Sequence, residues 1–294
     1  MRTAHRDLRR RLRKLSEGWQ DYPNVVQLEM SCVCNAKCAF CPYATSSRKG
    51  TRMSEEVFEK ALRDLRVPGR SPEVFHLEKL GEPFLDSRLF RFASRLGKVF
   101  PRATLAIITN GSLLPPETVA KLCELPNLGS LAVSFHSFGP ARETLMQLPV
   151  APAYEALQRM HVEKVAGRLP FNVRVHRVGQ GDPADRKFYR RARREFPLFS
   201  ASVTKQCTWQ GRCPGGEHTP DVGCKQWFNT AVMANGKVPF CCMDEGENAV
   251  GDIKTDNLLD IHNRPSARRL RTRVPSRRTL PQCHGCWAGL HRQF

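Results

Sequence analysis

Short apolar runs alternate with helical stretches between residues 23 and 204, and this alternation limits the fold more than any other feature of the sequence. Runs rich in β-branched and aromatic residues predict strands, and Ser54 before an apolar stripe predicts a helix N-cap. The predicted strands are Val25–Glu29, Val74–Leu77, Thr104–Thr109, Leu131–Phe135, Phe171–Val175 and Leu198–Val203. The predicted helices include Ser54–Leu65, Asp86–Phe100, Pro115–Leu125, Pro152–Ala166 and Pro183–Glu195. This order indicates parallel βαβ units with right-handed crossovers, and therefore an α/β fold that is either an open barrel or a doubly wound sheet.

The pattern changes after about residue 204, where Cys, Gly and Pro become frequent and helical periodicity disappears. The elements predicted there are a hairpin of Thr230–Ala234 and Lys237–Phe240 around Asn235-Gly236, and a short helix over Asn257–Asn263. A segment this small and polar cannot build a large core, so its fold needs further stabilisation, for example by a metal cluster. We therefore expect a basic N-terminal helix or extension (1–22), an α/β domain (23–204) and a small C-terminal domain (205–294).

Twelve cysteines are many for the compartment that the sequence indicates. No run approaches the roughly 20 apolar residues of a membrane span. The basic N-terminus lacks the apolar core of a secretory signal, so we expect a cytoplasmic protein without a membrane partner. Because the cytoplasm is reducing, clustered cysteines there indicate metal or redox chemistry rather than disulfides.

The first cysteine group is Cys34-x-x-x-Cys38-x-x-Cys41, directly after the first predicted strand. Soft thiolate ligands select iron–sulfur clusters or zinc. Three thiolates leave one iron of a [4Fe–4S] cluster open to a ligand that is not a protein side chain. Cys32 is close in sequence, but it lies on the other side of the strand-to-loop turn and is expected to be a free thiol.

This loop, with the aromatic residue Phe40 directly before Cys41, resembles the radical S-adenosylmethionine (SAM) superfamily. The resemblance implies a partial (β/α)6 TIM-like barrel and a cluster whose open iron binds the amino and carboxylate groups of SAM. Reductive cleavage then releases a 5′-deoxyadenosyl radical that abstracts hydrogen from the substrate. It also implies that the backbone at Phe40 approaches the adenine, and that an external one-electron reductant such as flavodoxin or ferredoxin supplies the electron.

A second segment, Leu80-Gly81-Glu82-Pro83, resembles the Gly-Gly-Glu-Pro segment that holds the methionine amino group in this superfamily. Leu80 departs from the first glycine and leaves the three-residue core intact. By the same analogy, Ser134 at the end of the fourth strand is expected to contact the ribose or carboxylate of SAM. Ordinary capping of a strand end would explain Ser134 equally well.

The second cysteine group combines Cys224 and Cys241, at the two ends of the predicted hairpin, with Cys283-x-x-Cys286. Four thiolates suit structural zinc as well as an iron–sulfur cluster. The spacing with Gly236 resembles the SPASM and twitch extensions of radical SAM enzymes, which implies an auxiliary [4Fe–4S] cluster. The shorter twitch arrangement is expected, and with it two clusters in all.

Five cysteines remain outside both groups: Cys32, Cys123, Cys207, Cys213 and Cys242. Cys123 is expected in the core, and Cys207 and Cys213 have no assigned role. Cys242 follows a predicted ligand on a hairpin expected to cover the barrel mouth. Because a thiol S–H bond is weaker than a sugar C–H bond, Cys242 can return a hydrogen atom to a substrate radical, although packing beside Cys241 is the alternative.

The net charge of +19 is the other unusual property of the chain. Basic clusters at Arg9–Lys14, Arg186–Arg194 and Arg264–Arg278 would suit nucleic acid, but no aromatic stacking series or helix-turn-helix pattern accompanies them. Solvated helix faces explain them better. The charge also argues against a polycationic aminoglycoside, unless acidic residues line the cleft; the candidates are Glu78, Glu82, Asp244, Glu245 and Glu247.

The expected activity is abstraction of hydrogen from an unactivated carbinol carbon of a sugar or aminoglycoside-type molecule. Redox-neutral epimerisation with Cys242 as hydrogen donor is the first hypothesis. Oxidation of a secondary alcohol to a ketone, with the auxiliary cluster as electron acceptor, is the alternative. Modification of a peptide or of RNA, and a non-enzymatic cluster or zinc module, are the remaining hypotheses. Peptide modification is disfavoured by the short segment before the first strand, and steep salt dependence would identify RNA binding.

Overall fold

Seven parallel strands form the main sheet of the computed structural model, which describes residues 10–15, 17–215, 218–273 and 276–288. The strands are β1 (Val25–Leu28), β2 (Val74–His76), β3 (Thr104–Thr109), β4 (Leu128–Ser134), β5 (Asn172–Gly179), β6 (Ser200–Lys205) and β7 (Thr230–Val232). A second, antiparallel pair consists of β8 (Lys237–Val238) and β9 (Gly251–Asp252). All six strands expected between residues 23 and 204 are present.

Helices connect the strands, and those predicted from the sequence are present with ends shifted by a few residues. They are α1 (Glu55–Asp64), α2 (Leu89–Val99), α3 (Pro116–Cys123), α4 (Ala141–Met146), α5 (Val150–Val165), α6 (Pro183–Glu195), α7 (Leu258–His262) and α8 (Pro265–Arg273). Ser54 caps α1 as predicted, since its Oγ accepts a hydrogen bond from Val57 N at 3.3 Å. α4 and α8 were not predicted. Residues 10–15 are helical, and the rest of the predicted N-terminal helix, residues 1–9 and 16, lies outside the described residues.

The strand order decides between the two α/β architectures. β1 to β6 follow one another in sequence across the sheet, with no reversal of direction. With crossovers of one hand, a sequential order puts every connecting helix on the same face, whereas a doubly wound sheet reverses its order and carries helices on both faces. The fold is therefore the partial barrel, as expected.

The face of the sheet opposite the helices is polar near the strand ends. In β1, Val26 and Leu28 are buried in the core beneath the helices, while Val25 and Gln27 line an open cavity. This alternation follows from the two-residue repeat of a strand. The helix-facing core includes the stacked rings of Phe58 and Phe92, whose centroids lie 4.1 Å apart.

The C-terminal region contributes β7 to the barrel sheet, and this corrects the predicted hairpin. The turn at Asn235-Gly236 is present: Gly236 has φ +90°, and Met233 N donates to Lys237 O at 2.9 Å. However, β7 pairs in parallel with β1, and β8 pairs with β9. The edge of β1 offers a free row of backbone hydrogen-bonding groups, and β7 satisfies them.

No helix among the described residues is long and apolar enough to cross a membrane.

Candidate active site

The carboxyl ends of the barrel strands surround a cavity of about 490 Å³. In barrel enzymes this end carries the active site. Residues of the first cysteine loop, the Gly-Glu-Pro segment and the C-terminal region meet in its wall. The predicted site residues that line it are Cys34, Cys38, Phe40, Cys41, Gly81, Glu82, Ser134, Cys241 and Cys242. The structure thus brings together segments that are two hundred residues apart.

The first cysteine loop is fixed by backbone hydrogen bonds to the C-terminal end of α4. Lys37 N donates to Met146 O at 3.0 Å, and Ala39 N donates to Leu145 O at 2.8 Å. Burial, reinforced by the neighbouring Cys34 thiol, raises the pKa of Cys38 to about 12. A metal that binds this loop must therefore displace protons, as is usual for thiolate ligands.

The donor set fits a multinuclear cluster. In the described part of the chain, no three His, Cys, Asp or Glu side chains converge closely enough to hold a single metal ion. In a [4Fe–4S] cluster each thiolate binds a different iron atom, so its ligands stand farther apart than those of one ion. Cys34, Cys38 and Cys41 all line the cavity, and soft thiolates are the ligands that such a cluster selects.

The Gly-Glu-Pro segment packs directly against the chain that follows β1. A Cβ on Gly81 would lie 2.2 Å from Ser31 O, so only glycine fits there. Glu82 is 2% exposed and accepts hydrogen bonds from Thr109 Oγ1 at 2.7 Å and Asn110 N at 2.8 Å. Burial raises the pKa of Glu82 to about 7. Pro83 follows as the first residue of a short 3-10 helix.

Ser134 and Phe40 lie at the same end of the cavity as the first cysteine loop. Ser134 is the last residue of β4, and its carbonyl accepts a hydrogen bond from Arg142 Nη1 at 2.9 Å. The ring of Phe40 lies 4.4 Å from that of His136, which is 1% exposed and has φ +61°. Nδ1 of His136 accepts from Val178 N at 3.1 Å, and burial lowers its pKa well below the usual range.

Arg142, which the sequence analysis did not single out, ties these strand ends together. It is fully buried and donates to the carbonyls of Phe135 at 2.7 Å and Asn110 at 2.6 Å, in addition to Ser134. Burial lowers its pKa to about 10. Because α4 also binds the cysteine loop, Arg142 links that loop to the ends of β3 and β4. An isolated arginine in a polar stretch gives no sequence signal for this role.

The second cysteine group lies behind the cavity wall. Cys224, Cys283 and Cys286 are buried in a cluster with Trp227, and Cys241 reaches the cavity from the same region. Arg277 is 1% exposed and donates to the carbonyls of Gly223 and Cys286, each at 3.0 Å. The basic stretch Arg264–Arg278 therefore includes an arginine that organises the cysteine loops.

Cys207 joins the second cysteine group in space, although the sequence assigned it no role. It packs against the buried cluster that contains Cys286, and it lines the cavity with Cys242. Cys32 is buried outside the cavity, Cys123 packs against the main core, and Cys213 is buried in the preceding loop. The region therefore carries two thiols, Cys207 and Cys242, beyond the four predicted ligands.

The acidic lining considered for a polycationic substrate is mostly absent. Glu78 and Glu82 line the cavity, but Asp244, Glu245 and Glu247 do not. Asp244 caps its own loop by accepting from Phe240 N at 2.9 Å and Gly246 N at 2.9 Å. Glu247 pairs at the surface with Arg212.

Glu245 instead belongs to a buried ion network between the barrel and the C-terminal region. Its Oε2 accepts from Arg48 Nη2 at 2.8 Å, and its Oε1 accepts from Lys79 Nζ at 2.6 Å. Arg48 also pairs with Glu29, which accepts from Ala234 N at 3.0 Å. Two carboxylates and two cations balance, and they connect the end of β1, the chain after the first cysteine loop, the chain after β2 and the chain after Cys242.

Two further imidazoles, on β2 and β5, line the cavity. His76 Nδ1 lies 3.1 Å from Glu78 Oε1, and Glu78 Oε2 accepts from Leu77 N at 3.2 Å. His176 is held between Ser202 Oγ at 2.9 Å and Thr204 Oγ1 at 3.3 Å. The histidine in the apolar run Val-Phe-His-Leu-Glu was the available sequence signal for this part of the site.

The chain matches two family models. Residues 28–161 match the Radical SAM superfamily, and residues 224–287 match SPASM, an iron-sulfur cluster-binding domain. Together these matches cover about two thirds of the sequence. They coincide with the cysteine loop and the C-terminal cysteines described above.

The chain is similar over part of its length to one named protein and over most of its length to solved structures. S-adenosyl-L-methionine-dependent 2-deoxy-scyllo-inosamine dehydrogenase from Niallia circulans is 31% identical over 106 residues, which are 35% of this chain and 41% of that protein. BtrN in complex with AdoMet and 2-DOIA has a TM-score of 0.64 at 17% identity, over 90% of this chain and 93% of that chain. Streptococcus suis SuiB bound to precursor peptide SuiA has a TM-score of 0.69 at 15% identity, over 92% of this chain and 71% of that chain. At such identities the solved structures establish a shared fold.

Proposed function

Because the chain belongs to the radical SAM superfamily and carries a SPASM-type iron–sulfur cluster-binding domain, we propose that it oxidises a secondary alcohol of a sugar-like small molecule to a ketone. Its cofactors are SAM and [4Fe–4S] clusters. The observation that carries the proposal is one cavity whose wall holds thiols of both cysteine groups, with polar strand ends between them.

Each cofactor has a set of residues that would hold it. Cys34, Cys38 and Cys41 hold the first cluster, and Cys224, Cys241, Cys283 and Cys286 hold an auxiliary one. Phe40, Gly81, Glu82, Pro83 and Ser134 contact SAM. When bound, the first cluster and SAM supply a carbon-centred radical that takes a hydrogen atom from a substrate C–H bond. A flavodoxin- or ferredoxin-like protein would deliver the initiating electron.

The charges of the cavity wall favour a substrate with hydroxyl groups and few ammonium groups. Lys79 also lines the cavity, and its charge is balanced by Glu245. Lys205 lies 3.9 Å from the ring centroid of Trp287 and adds a positive charge. Within the described residues, Glu78 and Glu82 are the two carboxylates that line the cavity. A sugar or an inositol with at most one amine matches this balance, and a polycation does not.

Oxidation rather than another outcome is supported by two observations. The relative from Niallia circulans, to which 106 residues are 31% identical, is named as a dehydrogenase. Within this chain, the auxiliary cysteines adjoin the cavity through Cys241, so that an electron acceptor would stand next to the substrate. The hydrogen atom leaves to the radical, and the remaining electron and proton leave separately.

Epimerisation is the second candidate, and the position of Cys242 favours it. The Cys242 side chain lines the cavity from the C-terminal region, while the first cysteine loop lines it from the barrel. A thiol there can return hydrogen to the substrate carbon from the other side. The two outcomes differ in the product and in the fate of Cys242.

The test uses reconstituted enzyme, SAM and dithionite under anaerobic conditions, with 2-deoxy-scyllo-inosamine deuterated at its carbinol carbons. Deuterium should appear in 5′-deoxyadenosine, together with an equal amount of a ketone. Cys34→Ala should form no 5′-deoxyadenosine. Absence of deuterium transfer from this compound and from a panel of related deuterated sugars would refute the proposal.

A Cys242→Ala variant separates the two candidates. If oxidation is the activity, this variant should form ketone at a rate close to that of the wild type. If epimerisation is the activity, the wild type in D₂O should place one deuterium at the inverted carbon, because thiol protons exchange with solvent. The variant would then abstract hydrogen without forming the epimer.

A further inference from the structure

A histidine–carboxylate pair projects into the cavity from the end of β2. His76 is the last residue of the strand, and Glu78 follows two residues later. Glu78 is 4% exposed, and its two oxygens are engaged by His76 Nδ1 and by the backbone N–H of Leu77. Both side chains line the cavity.

This pairing fixes the role of each imidazole nitrogen. A carboxylate next to Nδ1 accepts its proton in a hydrogen bond, so that Nε2 of the neutral ring is left as the acceptor. Within the described residues, Nε2 of His76 has no hydrogen-bond partner. The side chain of His76 retains 21% of its surface exposed, which gives a ligand in the cavity access to it.

The other two cavity histidines do not offer such a nitrogen. Both nitrogens of His176 lie within hydrogen-bonding distance of hydroxyl groups, at 2.9 Å and 3.3 Å. His136 accepts a backbone hydrogen bond at Nδ1, and its Nε2 is buried. His76 is therefore the imidazole placed to act on a bound molecule.

We propose that Nε2 of His76 accepts the hydroxyl proton of the carbon that loses hydrogen, and that Glu78 is its positioning residue. The proposal rests on the oxidation proposed above. Conversion of H–C–O–H to C=O removes two hydrogens. The C–H hydrogen leaves as an atom to the carbon radical derived from SAM, and the O–H hydrogen leaves as a proton to His76. The remaining electron leaves to an iron–sulfur cluster of the C-terminal domain.

Removal of the hydroxyl proton also favours oxidation over return of hydrogen. A carbon radical that bears an alkoxide gives up its electron more readily than one that bears a hydroxyl group. A base beside the reacting carbon therefore directs the radical towards the ketone. The pair thus determines the outcome of the reaction without taking part in the first hydrogen transfer.

The experiment compares His76→Gln and Glu78→Gln with the wild type, using holoenzyme and deuterated 2-deoxy-scyllo-inosamine. His76→Gln should still move deuterium into 5′-deoxyadenosine, while the amount of ketone per 5′-deoxyadenosine falls by about 10²-fold, a typical contribution of a general base. Glu78→Gln keeps an oxygen that can accept from Nδ1 but loses the negative charge. Its ratio of ketone to 5′-deoxyadenosine should therefore lie between those of the wild type and His76→Gln. The same substitution at the exposed His218, outside the cavity, should leave the ratio unchanged.

Binding without turnover provides a second readout. Equilibrium dialysis of 2-deoxy-scyllo-inosamine with holoenzyme and SAM, but without reductant, should give a dissociation constant for His76→Gln within about tenfold of the wild type. A normal ketone ratio in His76→Gln, or complete loss of binding, would overturn the proposal. Absence of deuterium transfer in the wild type would instead refute the proposed function on which it rests.

Discussion

At the scale of single residues, the site depends on polar groups that the fold holds away from water. Glu82 is nearly inaccessible, and its carboxyl group accepts three hydrogen bonds from Thr109 Oγ1, Asn110 N and Phe84 N. Burial nevertheless outweighs these contacts and raises its pKa from 4.5 to about 7. A buried carboxyl that favours its neutral form binds protons more tightly in the folded chain than in the unfolded chain.

The stability of the SAM-free protein should therefore depend on pH through Glu82. The contribution of this group is most favourable at low pH and is lost as the pH rises from about 4.5 through 7, because ionisation then costs more in the folded state. Glu82→Gln should remove that loss, on the order of 3 kcal/mol at pH 8 and much less at pH 5. Thermal unfolding at both pH values measures the difference. Equal pH dependence in Glu82→Gln and in the exposed control Glu117→Gln would contradict this account.

At the scale of elements, short loops carry the cysteines, and buried arginines give those loops their shape. Arg142 in α4 holds the ends of β3 and β4 beside the first cysteine loop. Arg277 plays the corresponding role in the C-terminal region, where it donates to Val222 O, Gly223 O, Cys286 O and Ala288 O. Loops with few apolar contacts need such multiple donors to satisfy their carbonyl groups.

Replacement of Arg277 should disturb the auxiliary cluster selectively. Arg277→Ala leaves buried carbonyls without donors, which costs about 1–3 kcal/mol for each group that water does not reach. We expect iron per chain to fall by about half, while the circular dichroism of the barrel stays unchanged. The neighbouring Arg278→Ala is the control, because Arg278 is 58% exposed. Full iron content in Arg277→Ala, or zinc in place of iron in the wild type, would contradict the assignment.

At the scale of the whole molecule, the barrel and the C-terminal region share one sheet and one ion network. β7 extends the sheet at β1, and Glu245 binds Arg48 and Lys79 from the barrel side. Because Glu245 follows the Cys241-Cys242 pair by a few residues, the network fixes the position of these thiols over the cavity. The same contacts bring cysteines of both groups to one cavity.

Loss of the Glu245 charge should weaken the connection between the two regions. Glu245→Gln leaves Arg48 and Lys79 with one carboxylate between them in a buried site, and breaking such a pair costs about 3–5 kcal/mol. Thermal unfolding and proteolysis of the C-terminal region are the measurements. Glu247→Gln, two residues along the chain, is the matched control because its pair with Arg212 lies at the surface. Equal stability of the two variants would refute the structural role of the network.

The sequence by itself determined the local elements, and it predicted the chemistry of the cysteines. Two-residue and 3.6-residue periodicities predict the strands and helices, because they depend on neighbouring side chains. Ser54 is an example, since a cap needs only its own turn of helix. The spacing of Cys34, Cys38 and Cys41 likewise predicts a three-ligand loop, because all three positions belong to one short segment.

Only the tertiary structure decided which distant groups meet. Three contacts join residues that are far apart in sequence. They are the pairing of β7 with β1, the ion pairs of Glu245 with Arg48 and Lys79, and the approach of Cys207 to Cys286. The pair of His76 and Glu78 is close in sequence, but its place in the cavity depends on the distant segments that form the rest of the wall. Local patterns encode the conformation of a segment, whereas burial, charge balance and the shape of a cavity arise from the packing of all segments together.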